Sequence, residues 1–296
     1  MTTYEFKTCD VFTDQKFGGN QLAVFLNAEG ISSEDMQKLA NEIGYAETTF
    51  VLPPTDPKNT AKVRIFTPTY EMPFAGHPNV GTAYMLAIEA QKNGLKPTAM
   101  VFEEIAGLVD IEITWDGDKI ENAMLTAPKG LEIQCDLPIE IAAPAAGVSV
   151  HDLKSGLTPV EATTGASFAF VELQTYEALK NAKPVTEAHS SFTHSHGLLA
   201  YFKCEDDAYD VRTRMFGPNV GIAEDSATGS ANITLAGLLV LEESEQTGVF
   251  IYRIAQGIEM GRPSLLIAEA TKQDGKVTKL RIGGKSVPMF EAKVNL

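Results

Sequence analysis

The sequence predicts an α+β chain made of a duplicated unit, and three observations carry that prediction. Short segments with strand-type alternation outnumber helical ones along the 296 residues. Two apolar helical segments each begin beside a glycine-bearing turn, one near Gly76-His77 and one near Gly229-Ser230. Finally, Arg64-Ile65-Phe66-Thr67-Pro68 resembles Arg214-Met215-Phe216-Gly217-Pro218, and each is followed by such a helix.

Taken in order, Tyr4, Phe6 and Thr8 alternate with Glu5, Lys7 and Cys9 as a strand does. An apolar segment at 22–26 follows the turn Gly18-Gly19-Asn20, so the opening reads as a hairpin. Ser32 is placed to cap a helix, with Asp35 three residues on. Met36, Leu39, Ala40 and Ile43 keep helical spacing and Gly44 ends it. Residues 48–52 are β-branched or aromatic and run into Pro53-Pro54, which makes them a strand with Glu47 at its mouth. After a short strand at 63–66, Pro68, Pro73, Gly76 and Pro78 interrupt the chain, and an apolar helix is expected over 80–89. Strands at 100–103, 108–115 and 123–126 complete the first half.

Proline and alanine gather at 137–147, read as the start of the second half. Strands follow near 167–173, 198–202 and 210–215, then a helix from Ser230 to about residue 241. The closing segment, 277–294, reads as strand, Gly283-Gly284 turn, strand. The predicted domains are residues 1–127, carrying Glu47 and His77, and 128–296, carrying Asp225, with the last strand free to return to the first lobe. In the repeat, His77-x-x-x-Gly81-Thr82-Ala83 is set against Asp225-x-x-x-Gly229-Ser230-Ala231. Two such lobes are expected to leave a cleft, a favoured place for a ligand.

Composition excludes whole classes of function. With 24 basic and 39 acidic side chains the net charge is −15, and no run of Lys or Arg offers a phosphate backbone a partner. Nucleic acid is therefore not expected. Nor is a membrane span, because the longest uncharged stretch, 233–241, is about half of the ~20 residues required. Residues 1–10 carry Glu5, Lys7 and Asp10 and lack an apolar signal core, so the expected location is the cytoplasm. Cys9, Cys135 and Cys204 are scattered singly, without metal or redox spacing.

The first turn of a helix presents N–H groups without intrahelical partners at the positive end of the dipole. A glycine there lets an anion approach, so the two helix starts are candidate carboxylate cradles. Near them lie Glu47, His77 and Asp225. A carboxylate and an imidazole in a closed cleft can take a proton from carbon and return it, because burial raises the carboxyl pKa into the working range. Each residue alone has a plainer reading: Glu47 a solvated strand end, His77 a satisfied buried imidazole, Asp225 a helix N-cap. His189, His194 and His196 read as surface residues of a Ser/Thr-rich loop, and no metal site is expected. The Walker spacing fails because Lys279 stands where its first glycine belongs, and no dinucleotide fingerprint or nucleophile elbow is present.

Four stretches together resemble the PhzF family of phenazine-biosynthesis-like proteins. They are Asp10-Val11-Phe12-Thr13 with Gly19-Asn20-x-x-Ala23-Val24; Ala46-Glu47-Thr48-Thr49-Phe50-Val51 with Phe74-Ala75-Gly76-His77-Pro78; Glu224-Asp225-Ser226-Ala227-Thr228-Gly229-Ser230-Ala231; and Gln256-Gly257-x-Glu259-Met260-Gly261-Arg262-Pro263-Ser264. The resemblance implies the diaminopimelate-epimerase-like fold, two pseudo-symmetric lobes that each wrap a β-barrel-like sheet around a central helix. It implies a cofactor-independent isomerase of a small carboxylate-bearing substrate and a homodimer. Glu47 would then be the acid/base that moves a proton between ring carbons, assisted by His77 and Asp225. Asn20, Gly76, Gly229 and Ser230 would bind the substrate. Gln21 and Ala46 depart from residues common at their positions. The related epimerases use a cysteine pair, and none of the three cysteines falls at a helix start. Amino-acid epimerisation and a non-catalytic binding role stay open as alternatives.

Overall fold

The computed structural model describes residues 2–205 and 208–296. The chain forms two compact units, one of Met1–Pro128 with Gly283–Leu296 and one of Lys129–Ile282.

The first unit contains strands β1 (Thr3–Val11), β2 (Asn20–Phe25), β3 (Glu47–Leu52), β4 (Ala61–Phe66), β5 (Glu71–Met72), β6 (Ala99–Glu104), β7 (Gly107–Asp116) and β8 (Lys119–Thr126). Its helices are α1 (Ser33–Ile43) and α2 (Gly76–Lys92). The second unit contains β9 (Glu132–Asp136), β10 (Val160–Thr163), β11 (Ser167–Glu172), β12 (Leu198–Lys203), β13 (Val211–Gly217), β14 (Ile222–Asp225), β15 (Gly248–Gln256), β16 (Ser264–Gln273) and β17 (Lys276–Gly284). Its helices are α3 (Ile139–Ala145), α4 (Tyr176–Asn181), α5 (Thr186–His189) and α6 (Gly229–Glu242). A last strand, β18 (Ser286–Asn295), lies antiparallel to β1 in the first unit.

The pairing scheme is the same in both units. In the first, β1–β2 is antiparallel, β2–β3 parallel, β3–β4 antiparallel, β4–β6 parallel and β6–β7 antiparallel, with β5 folded back on β4. In the second, β10–β11, β11–β12, β12–β13, β13–β15 and β15–β16 repeat that sequence of senses, and β14 folds back on β13. The outer partner of the first strand is β18 in one unit and β9 in the other.

α1 is the amphipathic helix its spacing predicts. Ser32 caps it through Asp35 N–H, Gly44 ends it in the left-handed region, and Met36, Leu39 and Ala40 are buried. It covers a stack of Phe6, Phe25, Phe50 and Phe66, with successive ring centroids 5.0, 4.8 and 5.4 Å apart. In the second unit α3, α4 and α5 cover a corresponding cluster that includes Val171, Leu198 and Phe216.

The central helices differ from α1 in being buried on nearly every side of their first turns. α2 buries ten residues from Gly76 to Ala87 and packs on β1, β2, β3, β7, β8 and β18, while α6 packs on β10, β11, β15 and β16. A helix enclosed in this way belongs inside a curved sheet. α2 approaches closely enough that a Cβ at Gly81 would stand 2.6 Å from Leu22 Cδ2 and Val11 Cγ2, so glycine is required there.

Three expectations are corrected. α2 begins at Gly76 rather than near residue 80, because Pro78 falls in the first turn, where no N–H is needed for the helix ladder. Gly283-Gly284 continues β17 instead of turning. His189 is buried, at 2% exposure, with Nε2 3.0 Å from the Ala145 carbonyl, so it fastens α5 to α3.

Candidate active site

In each unit the chain reaches its central helix through a clamped hairpin. Arg64 on β4 makes a two-point pair with Glu71 on β5, at 2.7 and 2.6 Å, and lies over the Phe66 ring at 5.0 Å. Arg214 on β13 does the same with Glu224 on β14, at 2.8 and 2.8 Å, over Phe216 at 5.1 Å. These planar fork pairs fix where the chain leaves the sheet.

Four residues after each hairpin strand a central helix begins at a glycine, Gly76 or Gly229. The fourth residue of each helix is a fully buried asparagine whose Nδ2 donates to the N-cap carbonyl at 2.9 Å: Asn79 to Ala75 and Asn232 to Thr228. The structure therefore aligns Gly76-His77-Pro78-Asn79 with Gly229-Ser230-Ala231-Asn232. His77 corresponds to Ser230, and Asp225 corresponds to Met72 at the end of the hairpin. This register differs from the one Gly81 and Gly229 suggest, because the helix starts are set by Gly76 and Gly229 with Asn79 and Asn232 rather than by Gly81.

Unlike α1, neither central helix has a side-chain cap bond at its N-cap, Ala75 or Thr228. The first-turn N–H groups are thus not consumed by a local cap and can meet an anion.

In the first unit, the parallel pairing of β2 with β3 sets Leu22 opposite Glu47, and the β1–β2 register sets Asn20 opposite Val11 at the same end. Asn20 is 4% exposed. The loop before it holds Phe12 and Phe17 at φ of 64° and 71°, a conformation that L side chains rarely adopt, and Phe17 N–H donates to Asp10. Glu47 Oε2 lies 3.4 Å from His77 Nε2, with the two side chains 12% and 4% exposed. Burial drives the His77 pKa down to about 3, against the opposing influence of a hydrogen bond with the Gln21 backbone. The imidazole is therefore neutral at physiological pH and the contact is not an ion pair. A ring nitrogen donating to the Gln21 carbonyl leaves Nε2 as a lone pair facing the Glu47 carboxyl, suited to sharing that group's proton.

In the second unit, Asp225 closes β14. Its carboxylate accepts from Thr228 Oγ1 at 2.5 Å and its carbonyl from Gln256 Nε2 at 2.8 Å. Gln256, 1% exposed at the end of β15, also accepts from Asn232 Nδ2 at 2.6 Å and Thr228 N–H at 3.2 Å. Ser264 Oγ donates to the Ser226 carbonyl at 2.8 Å. At Gly257, φ 73°, a Cβ would stand 2.5 Å from both the Ser226 and Arg262 carbonyls. Asp225 is not the N-cap of α6; it organises the turn ahead of it.

Glu47, His77, Gly76 and Asn20 thus occur together in the first unit, and Asp225, Gly229 and Ser230 together in the second. Sequence reasoning missed the positioning roles of Asn79, Asn232 and Gln256. The signal was present in the Gly-x-x-Asn spacing at both helix starts. Among the described residues no cluster of three or more His, Cys, Asp or Glu is placed to hold a metal, and no helix is long and apolar enough to cross a membrane.

The profile of the family described as "Phenazine biosynthesis-like protein" matches residues 9–292. The chain belongs to the phenazine biosynthesis-like family. Relatives that match over nearly their whole length are named isomerases. The trans-2,3-dihydro-3-hydroxyanthranilate isomerase of Pseudomonas aeruginosa is 33% identical, with 99% of this chain and 100% of that protein covered. An uncharacterized isomerase of Mesorhizobium japonicum is 35% identical, with 99% of each covered. A crystal structure of a PhzF-family phenazine biosynthesis protein from Bacillus anthracis superposes with a TM-score of 0.88 at 25% identity, covering 100% of both chains. This phenazine biosynthesis-like protein is accordingly an isomerase with the epimerase-like fold.

Proposed function

We propose that the enzyme shifts a hydrogen between carbons of a small, unsaturated, carboxylate-bearing ring, a substrate of the trans-2,3-dihydro-3-hydroxyanthranilate type on which its Pseudomonas aeruginosa relative acts by name. The observation that carries this reading is the half-enclosed Glu47 carboxyl facing the neutral His77 Nε2 at 3.4 Å, beside a helix start without a side-chain cap. Glu47 takes a proton from one ring carbon, the electron pair moves through the conjugated double bonds, and the proton returns at another carbon. Atoms and electrons balance without an oxidant, a reductant or a cofactor. His77 steadies the carboxyl in its protonated interval. Gly76 and Asn20 are assigned to holding the substrate beside Glu47, and the family resemblance assigns a binding role to Gly229, Ser230 and Asp225 as well.

Two-thiol epimerisation is disfavoured by the cysteines. Cys9 is buried at 1% exposure on β1, where burial pushes its thiol pKa far up, and Cys135 lies on β9 rather than at the start of α2 or α6. The net charge of −15 does not oppose an anionic substrate, because charges beyond about 8 Å are screened at physiological salt and the helix-start N–H groups act locally. A cytoplasmic homodimer is the assembly this reading carries over from the family resemblance, and sedimentation at several concentrations tests it.

The test is to supply trans-2,3-dihydro-3-hydroxyanthranilate and follow its double bonds by NMR. Migration of the hydrogen supports the proposal. An unchanged substrate, with inversion of a free amino acid's α-carbon under the same conditions, replaces it with an epimerase.

A further inference from the structure

The duplication places a glutamate where its counterpart is an amide. The matched registers of β4 with β6 (Ala61 opposite Phe102) and of β13 with β15 (Val211 opposite Ile254) make Glu104, the last residue of β6, the equivalent of Gln256, the last residue of β15. In the second unit Gln256 uses both halves of its amide, accepting from Asn232 Nδ2 and Thr228 N–H and donating to the Asp225 carbonyl. In the first unit both carboxyl oxygens of Glu104 are buried without a well-formed hydrogen bond, and the buried Oδ1 of Asn79 also lacks a partner within the protein. An ionised carboxylate only accepts, whereas a carboxylic acid carries one donor and one acceptor, the complement of an amide.

We infer that Glu104 works as a neutral carboxylic acid, a proton-bearing substitute for the amide of Gln256, and positions Asn79 and through it the first turn of α2 with Gly76 and His77. Glu104 is a positioning residue, since it acts through Asn79. Its catalytic consequence rests on the function proposed above, but its protonation does not.

The surroundings agree with this assignment. Burial pushes the Glu104 carboxyl up to about 8, and the polar side chain of Asn79 nearby is the weaker, opposing influence. The nearby charges are engaged elsewhere. Glu103 turns to the N–H groups of Thr55 and Asp56 and to Asn59, and Glu71 is paired with Arg64. On α2, His77 is neutral. On β4 the neighbouring charge is Lys62, an exposed side chain opposite Glu103. On β7 the residue opposite Glu104 is Gly107, which brings no charge.

The experiment compares wild type, Glu104→Gln and Glu104→Ala across about pH 5 to 9. Infrared difference spectra of wild type against Glu104→Gln report the C=O stretch of a protonated acid, and the pH profile of turnover reports the consequence. A protonated-acid band at neutral pH that fades as the pH passes about 8 is expected from the raised carboxyl. Glu104→Gln should keep turnover near wild type and lose the alkaline fall that Glu104 imposes. Glu104→Ala, which removes both donor and acceptor, should lose up to about 100-fold through a displaced first turn. No acid band at pH 6, or a Glu104→Gln enzyme as impaired as Glu104→Ala, overturns the inference. If no version turns over substrate, the band still decides the question, and it is the proposed function that fails.

Discussion

The first turns of α2 and α6 are built alike, on a clamped hairpin, a glycine and an asparagine bonded to the N-cap carbonyl, yet they differ in how completely their polar atoms are used. At α6, Gln256, Asn232, Thr228 and Thr213 form a closed network. At α2, Thr48 Oγ1, His77 Nε2, Asn79 Oδ1 and both Glu104 oxygens are buried without well-formed partners. Leaving a buried polar atom unmade costs about 1–3 kcal/mol, so such groups gather where the fold has a use for them. Under the proposed function this contrast corresponds to a division of labour: the turn ahead of α6 is held rigid by its network, and the start of α2 keeps unmet polar atoms around the Glu47 carboxyl proposed to react.

The largest effect that sharpens this contrast is on turnover. Glu47→Gln should reduce kcat by about 10²–10⁴-fold with folding intact, as loss of a general acid/base does. Asp225→Asn and Ser230→Ala should act mainly through KM. Equal kcat losses from both helix starts would break the division of labour.

The next effect concerns stability. Arg214 is 9% exposed in its side chain, and besides Glu224 its Nη1 donates to the carbonyls of Leu179, Lys180 and Ala182 at 3.1, 2.8 and 2.6 Å. Arg214→Ala leaves Glu224, 17% exposed, and three carbonyls without their donor and should cost about 3–5 kcal/mol in denaturant unfolding. Arg64, at 20% exposure, should cost about 1.5–3 kcal/mol on the same change.

A third prediction is on pH. His77 is depressed to about 3 in the folded protein. The unfolded chain takes up a proton near the ordinary value of about 6.5 while the folded one does not, so stability is full above that value and falls as the pH drops toward 3. The slope is at most about 1.4 kcal/mol per pH unit. Urea unfolding of His77→Gln should show a shallower acid limb by that amount, and an unchanged limb would mean that His77 is charged in the fold.

The smallest effect exchanges one hydroxyl. Thr213 Oγ1 donates to Asn232 Oδ1 at 3.3 Å, and Val63 occupies the same register position in the first unit. Thr213→Val should destabilise by about 1–3 kcal/mol, while Val63→Thr gives Asn79 a donor and should gain about 1 kcal/mol or less. A fall in melting temperature for Val63→Thr as large as that for Thr213→Val would contradict the comparison.

Local chemistry was legible in the sequence wherever neighbours along the chain decide the outcome. Ser32, Asp35 and Gly44 spell out α1, and the Arg-x-Phe repeat announces the duplication. The start of α2 was misread because Pro78 resembles a breaker until its place in the first turn is known. Gly283-Gly284 resembles a turn until β17 is seen to run through it. The meeting of Glu47 with His77 depends on the parallel pairing of β2 with β3, and Gln256 reaches Thr228 from a strand 28 residues onward, so periodicity carries no trace of either. The helix starts and their neighbouring ionisable residues single out Glu47 and His77, and the family resemblance assigns Glu47 the acid/base role. The burial that leaves the imidazole neutral became visible only with the fold.

The account stands most directly on Glu47 as the carrier of the migrating hydrogen. Incubation in deuterated water with a saturating dihydro-hydroxyanthranilate, followed by NMR of product and recovered substrate, measures this. Label should enter the product with wild type and with Asp225→Asn, and be lost with Glu47→Gln. Label entering at the wild-type rate with Glu47→Gln would contradict the account.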